Sequence, residues 1–167
     1  MSFNRIFGIS EIVGKEVDRK EASRMVVSDN GKYLMISTKR GDLIFPGGGV
    51  EDGETNIDAA IRELREETGY ECIGIPERLG QIIVRKEDQY KQGGIFESVM
   101  NYFICDVHHL QGEQLLSESE QKSQIKPIWK NKEEILVSNR NYFEKNNSTD
   151  IWVEMIEYIL GFVEDRL

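Results

Sequence analysis

An α/β domain is predicted, on three observations. Apolar, β-forming runs flank a glycine-rich stretch on both sides. An amphipathic helix pattern follows that stretch directly, and a second apolar stripe at helical spacing closes the chain. At 167 residues the chain suits one domain with a substantial core, over residues 1–167, and is short for two.

The elements follow in order. Arg5 to Val13 reads as an opening strand, and Glu16 to Ala22 as a charged connection. Arg24 to Val27 and Tyr33 to Thr38 are apolar runs around Asp29-Asn30-Gly31, a strong hairpin signal. Leu43 to Phe45 is short and runs into Pro46-Gly47-Gly48-Gly49, which continues neither strand nor helix and lets backbone approach a ligand closely. From Thr55 a helix is expected. Ile57, Ala60, Ile61, Leu64 and Thr68 share one face. Thr55 with Asp58 reads as a capping box, and Gly69 as the left-handed residue past the helix end. Leu79 to Arg85 and Ser98 to Val107 are two further strands, separated by a polar loop over Lys86 to Gly94. Gln111 to Ser123 is an acid-rich loop, Ile125 to Trp129 a last strand, and Glu133 to Val137 a short helix. Asn139 to Asn147 is read as a connection. Ile151, Met155, Ile159, Leu160 and Val163 then stripe a C-terminal helix.

Composition narrows the function. A net charge of −9 argues against binding a nucleic-acid polymer along its backbone. No apolar run approaches the ~18 residues that cross a bilayer, and the N-terminus lacks a signal pattern. Cys72 and Cys105 are too few for a disulfide scaffold and are read as reduced and buried, as in a cytoplasmic protein.

The chemistry concentrates between Gly48 and Tyr70. At about 100° per residue, Glu63, Glu66 and Glu67 share a face away from the apolar stripe. Three like charges on one patch repel, and a divalent cation reverses that penalty. Hard oxygen ligands on a rigid element suit Mg²⁺ or Mn²⁺. Ala59 lies between Glu63 and Glu66, where a small side chain leaves room for an ion or a phosphate. An isolated glutamate pair would be a solvated helix face; the glycine loop and Glu54 at this spacing change that reading.

The run Gly48-x5-Glu54-x7-Arg62-Glu63-Leu64-x-Glu66-Glu67-x-Gly69-Tyr70 resembles the Nudix box, the signature of metal-dependent pyrophosphohydrolases. With each residue type at roughly 5–8% per position, seven fixed matches arise by chance about once in 10⁸ starts. Tyr70 departs from the usual aliphatic slot, a change that packing should feel more than chemistry. The motif spans 23 residues, and the order of elements extends the resemblance over most of the chain, implying the Nudix α/β/α sandwich with a central mixed sheet.

The resemblance implies site roles. Glu63, Glu66 and Glu67 are the metal ligands, with the Gly48 carbonyl completing the shell and Glu67 nearest the reacting phosphate. Glu54 and Arg62 are the pair that ties the glycine loop to the helix. The expected reaction is Mg²⁺-dependent (or Mn²⁺-dependent) hydrolysis of a nucleoside diphosphate linked to a group X, by water attack on phosphorus. Family members place the general base on a box glutamate or in the loop before the final strand, which here offers Glu120, Glu118 and Glu113. Glu120 is favoured.

Other cations and rings are weaker candidates. Lys39, Arg40, Arg85 and Lys86 would suit phosphates, though a solvated surface is the stronger reading. Phe45, Tyr90 and Tyr102 would suit a base, with core packing favoured for Tyr102. His108 and His109 lack a third ligand at metal spacing. The subgroup markers past the box, a proline for ADP-ribose hydrolases or a tyrosine for dinucleoside polyphosphate hydrolases, fall on Arg85, Lys86 and, too far along, Tyr90. X therefore stays open. Apolar positions on the first strand and last helix would suit a homodimer. The alternative is a Nudix-fold module that binds a nucleotide metabolite without turnover; such modules often have eroded boxes, and this one keeps every acidic ligand.

Overall fold

The computed structural model describes residues 2–146 and 151–166. Its strands are β1 (Phe3–Gly8), β2 (Val17–Val26), β3 (Ser28–Asp29), β4 (Lys32–Ser37), β5 (Leu43–Ile44), β6 (Gly47–Gly49), β7 (Cys72–Glu87), β8 (Ile95–Val107) and β9 (Lys126–Lys130). The helices are α1 (Asn56–Thr68), α2 (Glu118–Ser123), α3 (Lys132–Lys145) and α4 (Ile151–Glu164).

A five-stranded mixed sheet runs β1-β7-β8-β2-β6, with β1 parallel to β7 and β2 parallel to β8. A smaller antiparallel sheet centres on β4, which pairs with β3, β5 and β9. Consecutive residues of one strand point to opposite faces, so each strand feeds two layers. Tyr102 enters a core with Phe3, Leu79, Ile82 and the buried faces of α3 and α4. Its neighbour Phe103 enters a second core with Met25, Leu34, Ala60 and Leu64 of α1. Helices therefore cover the sheets from both sides, as the α/β/α sandwich requires. Among the described residues, no helix is long and apolar enough to cross a membrane.

The local signals near the motif hold. Asn30 (φ 49°) and Gly31 (φ 74°) form the two-residue turn between β3 and β4. Thr55 Oγ1 accepts the Asp58 N–H at 3.3 Å and donates to Asp58 Oδ2 at 2.5 Å. Gly69 ends α1 at φ 74°, and its N–H donates to the Arg65 carbonyl at 2.8 Å. Tyr70 packs as expected, edge-on to Trp129 at 5.9 Å, and its hydroxyl also accepts the indole N–H at 3.3 Å.

Four expectations need correction. The opening strand spans Phe3–Gly8 rather than Arg5 to Val13, because Gly8 (φ 86°) turns the chain out of the sheet. Glu16 to Ala22 is no connection; residues 17–22 are six of the ten residues of β2, paired along β8. Its alternation is hidden because residues 17–21 bury no apolar side chain; the exposed Arg19 instead reaches the enclosed Glu97, donating from Nε to Oε1 at 2.6 Å. The Gln111 to Ser123 loop contains α2, opened by a reciprocal capping box between Ser117 and Glu120. Residues 139–145 continue α3, capped by Asn131 and Glu134; Asn147 lies outside the described residues. Asn139 misleads because its carboxamide is fully buried, accepting the Leu43 N–H at 2.8 Å and donating to the Leu43 carbonyl at 2.9 Å. Both cysteines are free; Cys105 is buried and Cys72 half-buried.

Candidate active site

α1 packs against β2 and β6, so one face of the helix meets the glycine loop. The approach is close. A Cβ on Gly48 would stand 2.6 Å from the Glu63 carboxyl carbon and overlap its oxygens. Ala59 is fully buried on α1. The Gly47 N–H donates to Glu67 Oε2 at 2.8 Å, which aims that carboxylate at the loop.

Arg62 gathers the acidic residues. Its guanidinium forks onto Glu54, Nε to Oε1 at 2.8 Å and Nη2 to Oε2 at 3.0 Å. Nη1 donates to Glu63 Oε1 at 2.7 Å and to Glu66 Oε2 at 3.1 Å, and Nη2 reaches the Gly49 carbonyl at 3.1 Å. Hydrogen bonding to Arg62 holds the Glu54 carboxyl below the usual range, and Glu54, with its neighbours, keeps Arg62 more firmly protonated. The expected loop–helix tie is present, half-buried rather than fully enclosed.

One carboxylate oxygen from each of Glu63, Glu67 and Glu120 lies within 4.8 Å of the others. Glu63 and Glu67 are buried and Glu120 half-buried. Burial pushes the Glu67 carboxyl up, against the Gly47 N–H and the Arg24 charge; Glu63 and Glu120 add to the rise, which reaches about 7. Burial also raises Glu63, which Arg62 offsets in part while Glu66 and Glu120 oppose ionisation further. Three converging hard-oxygen donors that resist carrying their charges together fit a small divalent cation. Glu66 lies outside this trio, with its carboxylate on Arg62. Glu118 and Glu113 are exposed.

The remaining candidates disperse. Arg85 is spent on the enclosed Glu97 at 2.6 Å. Lys86 lies over the Phe96 ring at 5.3 Å, and Tyr90 is exposed. Lys39 and Arg40 are exposed, with Lys39 donating to the Lys122 carbonyl of α2. His108 and His109 are exposed at the end of β8. Phe45 and Tyr102 are core residues, ring centroids 6.1 Å apart, yet both also line a pocket of about 250 Å³ with Met100, Trp152 and Met155.

Arg24 is a site residue that the sequence reading passed over. It lines the same pocket and donates from Nη1 to the Phe45 carbonyl at 3.1 Å and the Gly47 carbonyl at 2.6 Å. One residue, Gly47, thus links the pocket to Glu67 through its N–H and its carbonyl. The available signal was a lone cation at the head of the apolar run Arg24-Met25-Val26-Val27.

Fold and site together define a carboxylate-rich α/β domain with a glycine loop set against an acidic helix. The NUDIX domain family model matches residues 18–151, and the chain belongs to the Nudix family. Nudix hydrolase 13, mitochondrial, of Arabidopsis thaliana is 46% identical over 65 residues, 38% of this chain and 32% of that protein. The uncharacterized Nudix hydrolase YvcI of Bacillus subtilis is 34% identical over 96 residues, 56% of each. The matched stretches thus span about half or less of these relatives. Among solved structures, the MutT protein of Bacillus halodurans superposes with a TM-score of 0.62 at 26% identity, covering 84% of this chain and 82% of that one. A Nudix hydrolase from Nitrosomonas europaea shares the fold, with a TM-score of 0.59 at 23% identity and 86% and 90% coverage.

Proposed function

We propose that the chain is a Mg²⁺-dependent pyrophosphohydrolase, also served by Mn²⁺, that cleaves a nucleoside diphosphate linked to a further group. The observation that carries this reading is the trio of Glu63, Glu67 and Glu120, brought together from two separate helices. Glu63 and Glu67 hold the cation, with Glu66 and the Gly48 carbonyl as further ligands. The bound cation supplies charge neutralisation on the diphosphate oxygens.

The protein's own residues do the rest. Glu120 takes the proton from the attacking water, and its half-buried position beside Glu63 and Glu67 supports that role. Glu54 and Arg62 keep the glycine loop on the helix, so their part is geometric. The pocket beneath α3 and α4 receives an apolar ring of the substrate, and Arg24 joins that pocket to the Gly47 peptide beside Glu67. An aromatic-lined recess of this kind suits a nucleoside.

The test is hydrolysis of a panel of nucleoside diphosphate sugars, dinucleoside polyphosphates and nucleoside triphosphates, with and without Mg²⁺. A monophosphate product that depends on the metal is expected. Glu67→Gln keeps the shape and removes one ligating charge, so kcat should fall at least ~10²-fold. Glu120→Gln should lose less. Tight metabolite binding with no turnover in Mg²⁺ or Mn²⁺ would instead mark a binding module.

A further inference from the structure

A helix ends with carbonyls that have no partner inside it. Those at the end of α1 find theirs in a single stretch of five residues. The Leu115 N–H donates to the Glu66 carbonyl at 2.8 Å, and Gln114 Nε2 to the Glu67 carbonyl at 2.5 Å. Gln111 Nε2 donates to the Thr68 carbonyl at 2.8 Å, and the Gly112 N–H to the Gly69 carbonyl at 2.7 Å. The fit is close enough that a Cβ on Gly69 would overlap the Gly112 carbonyl oxygen.

This stretch leads straight to the third carboxylate. Two residues beyond Leu115, Ser117 caps α2 and Glu120 falls in its first turn, accepting the Ser117 N–H at 2.6 Å. α2 has six residues and buries none of them, so no core contact sets where it sits. Downstream it is tethered by Lys39, whose N–H donates to the Ser123 carbonyl at 3.1 Å, and by buried Ile125. Upstream, the tether is the cap on α1.

We propose that residues 111–115 are the positioning element of the site, with the Gln111 and Gln114 amides fastening the end of the acidic helix to the segment that delivers Glu120. Gln111 and Gln114 are positioning residues, acting on the cation and substrate through Glu120. The inference rests on the reading of Glu120 given above. Because the same helix turn carries Glu66 and Glu67 and presents their backbone carbonyls to the strap, the two halves of the trio are referenced to one piece of backbone.

The test uses Gln111→Met, Gln114→Met and the double variant, which keep side-chain length and remove the donors. Gln111 is exposed and Gln114 half-buried, so the single variants should fold even if the double is impaired. Mn²⁺ affinity is read from the free-ion electron paramagnetic resonance signal without any substrate. Turnover is then measured on the best substrate of the panel. Partners that orient metal ligands are typically worth 10–100-fold in affinity or activity. The double variant should therefore lose kcat about 10-fold with KM unchanged, and weaken Mn²⁺ binding no further than Glu120→Gln does. In a Glu120→Gln background the same glutamine changes should cost nothing further.

If Glu120→Gln weakens Mn²⁺ binding or turnover while the glutamine variants match wild type, the strap does not position Glu120. The same follows if the glutamine effects persist in full on the Glu120→Gln background. If Glu120→Gln itself matches wild type in both measurements, the reading of Glu120 fails first and takes the strap's role with it.

Discussion

Glu67→Gln tests the electrostatics of the trio without any substrate. The carboxyl is 6% exposed, accepts one backbone N–H, and faces Glu63 and Glu120. With no cation, its pKa lies near 7 instead of 4.5, mainly because burial penalises the charge. A group whose folded pKa lies above its unfolded one stabilises the fold fully below the unfolded value, and that contribution is lost as pH rises through the folded value. The window is therefore pH 4.5 to about 7. At about 1.4 kcal/mol per pH unit, the loss amounts to about 3 kcal/mol. Glutamine fills the same space, keeps an acceptor for Gly47 and carries no charge. In EDTA, urea unfolding should find Glu67→Gln about 1–3 kcal/mol more stable than wild type at pH 8, and nearly equal to it at pH 4.5. Wild type alone should recover most of the difference when Mn²⁺ is added. A variant no more stable than wild type in EDTA at pH 8 would refute the reasoning, since the buried charge would then impose no strain on the fold.

Gly48→Ala should push the Glu63 carboxylate aside and weaken Mn²⁺ binding at least about 10-fold, with circular dichroism unchanged; calorimetric titration checks both the affinity and the stoichiometry. Arg62→Lys keeps the charge and loses the fork that serves Glu54, Glu63, Glu66 and the Gly49 carbonyl. It should cost about 1–2 kcal/mol in urea unfolding and at least about 10-fold in turnover. Asn139→Ala leaves both Leu43 backbone groups without their buried partner and should cost about 2–4 kcal/mol, seen as a lower urea midpoint with an unchanged slope.

Legibility in the sequence followed the kind of physics that set each element. The acidic helix was readable because its cap, its stripe and its stop all lie within one local stretch, and each follows from side-chain chemistry at fixed spacing. Glu120 could be favoured because chain order places it before β9, whereas its approach to Glu63 and Glu67 depends on a strap of ordinary glutamines with no local signature. β2 was missed for a different reason. Its first half shows no apolar alternation, and its partners on β8 lie 78 residues away, so parallel pairing left no mark nearby. Asn139 failed through a propensity that tertiary contact overrides: asparagine disfavours helix interiors unless its amide has a fixed partner, and here that partner is the distant Leu43 backbone.

Glu97 has the remaining consequence. Its side chain is fully enclosed, held from β2 by Arg19 and from β7 by Arg85, each at 2.6 Å. Burial alone would raise its carboxyl, yet the two guanidiniums hold it below the usual range. Slipping a strand by one residue turns each of its side chains to the opposite face, and the polar run Val17 to Glu21 has no apolar face with which to resist that. The clasp does so instead: a slipped β2 would draw Arg19 off and leave Arg85 to balance an ion shut away from water. Three strands are thereby indexed to one another by charge where grease is lacking, and the glycine loop that continues the sheet at β6 inherits that alignment.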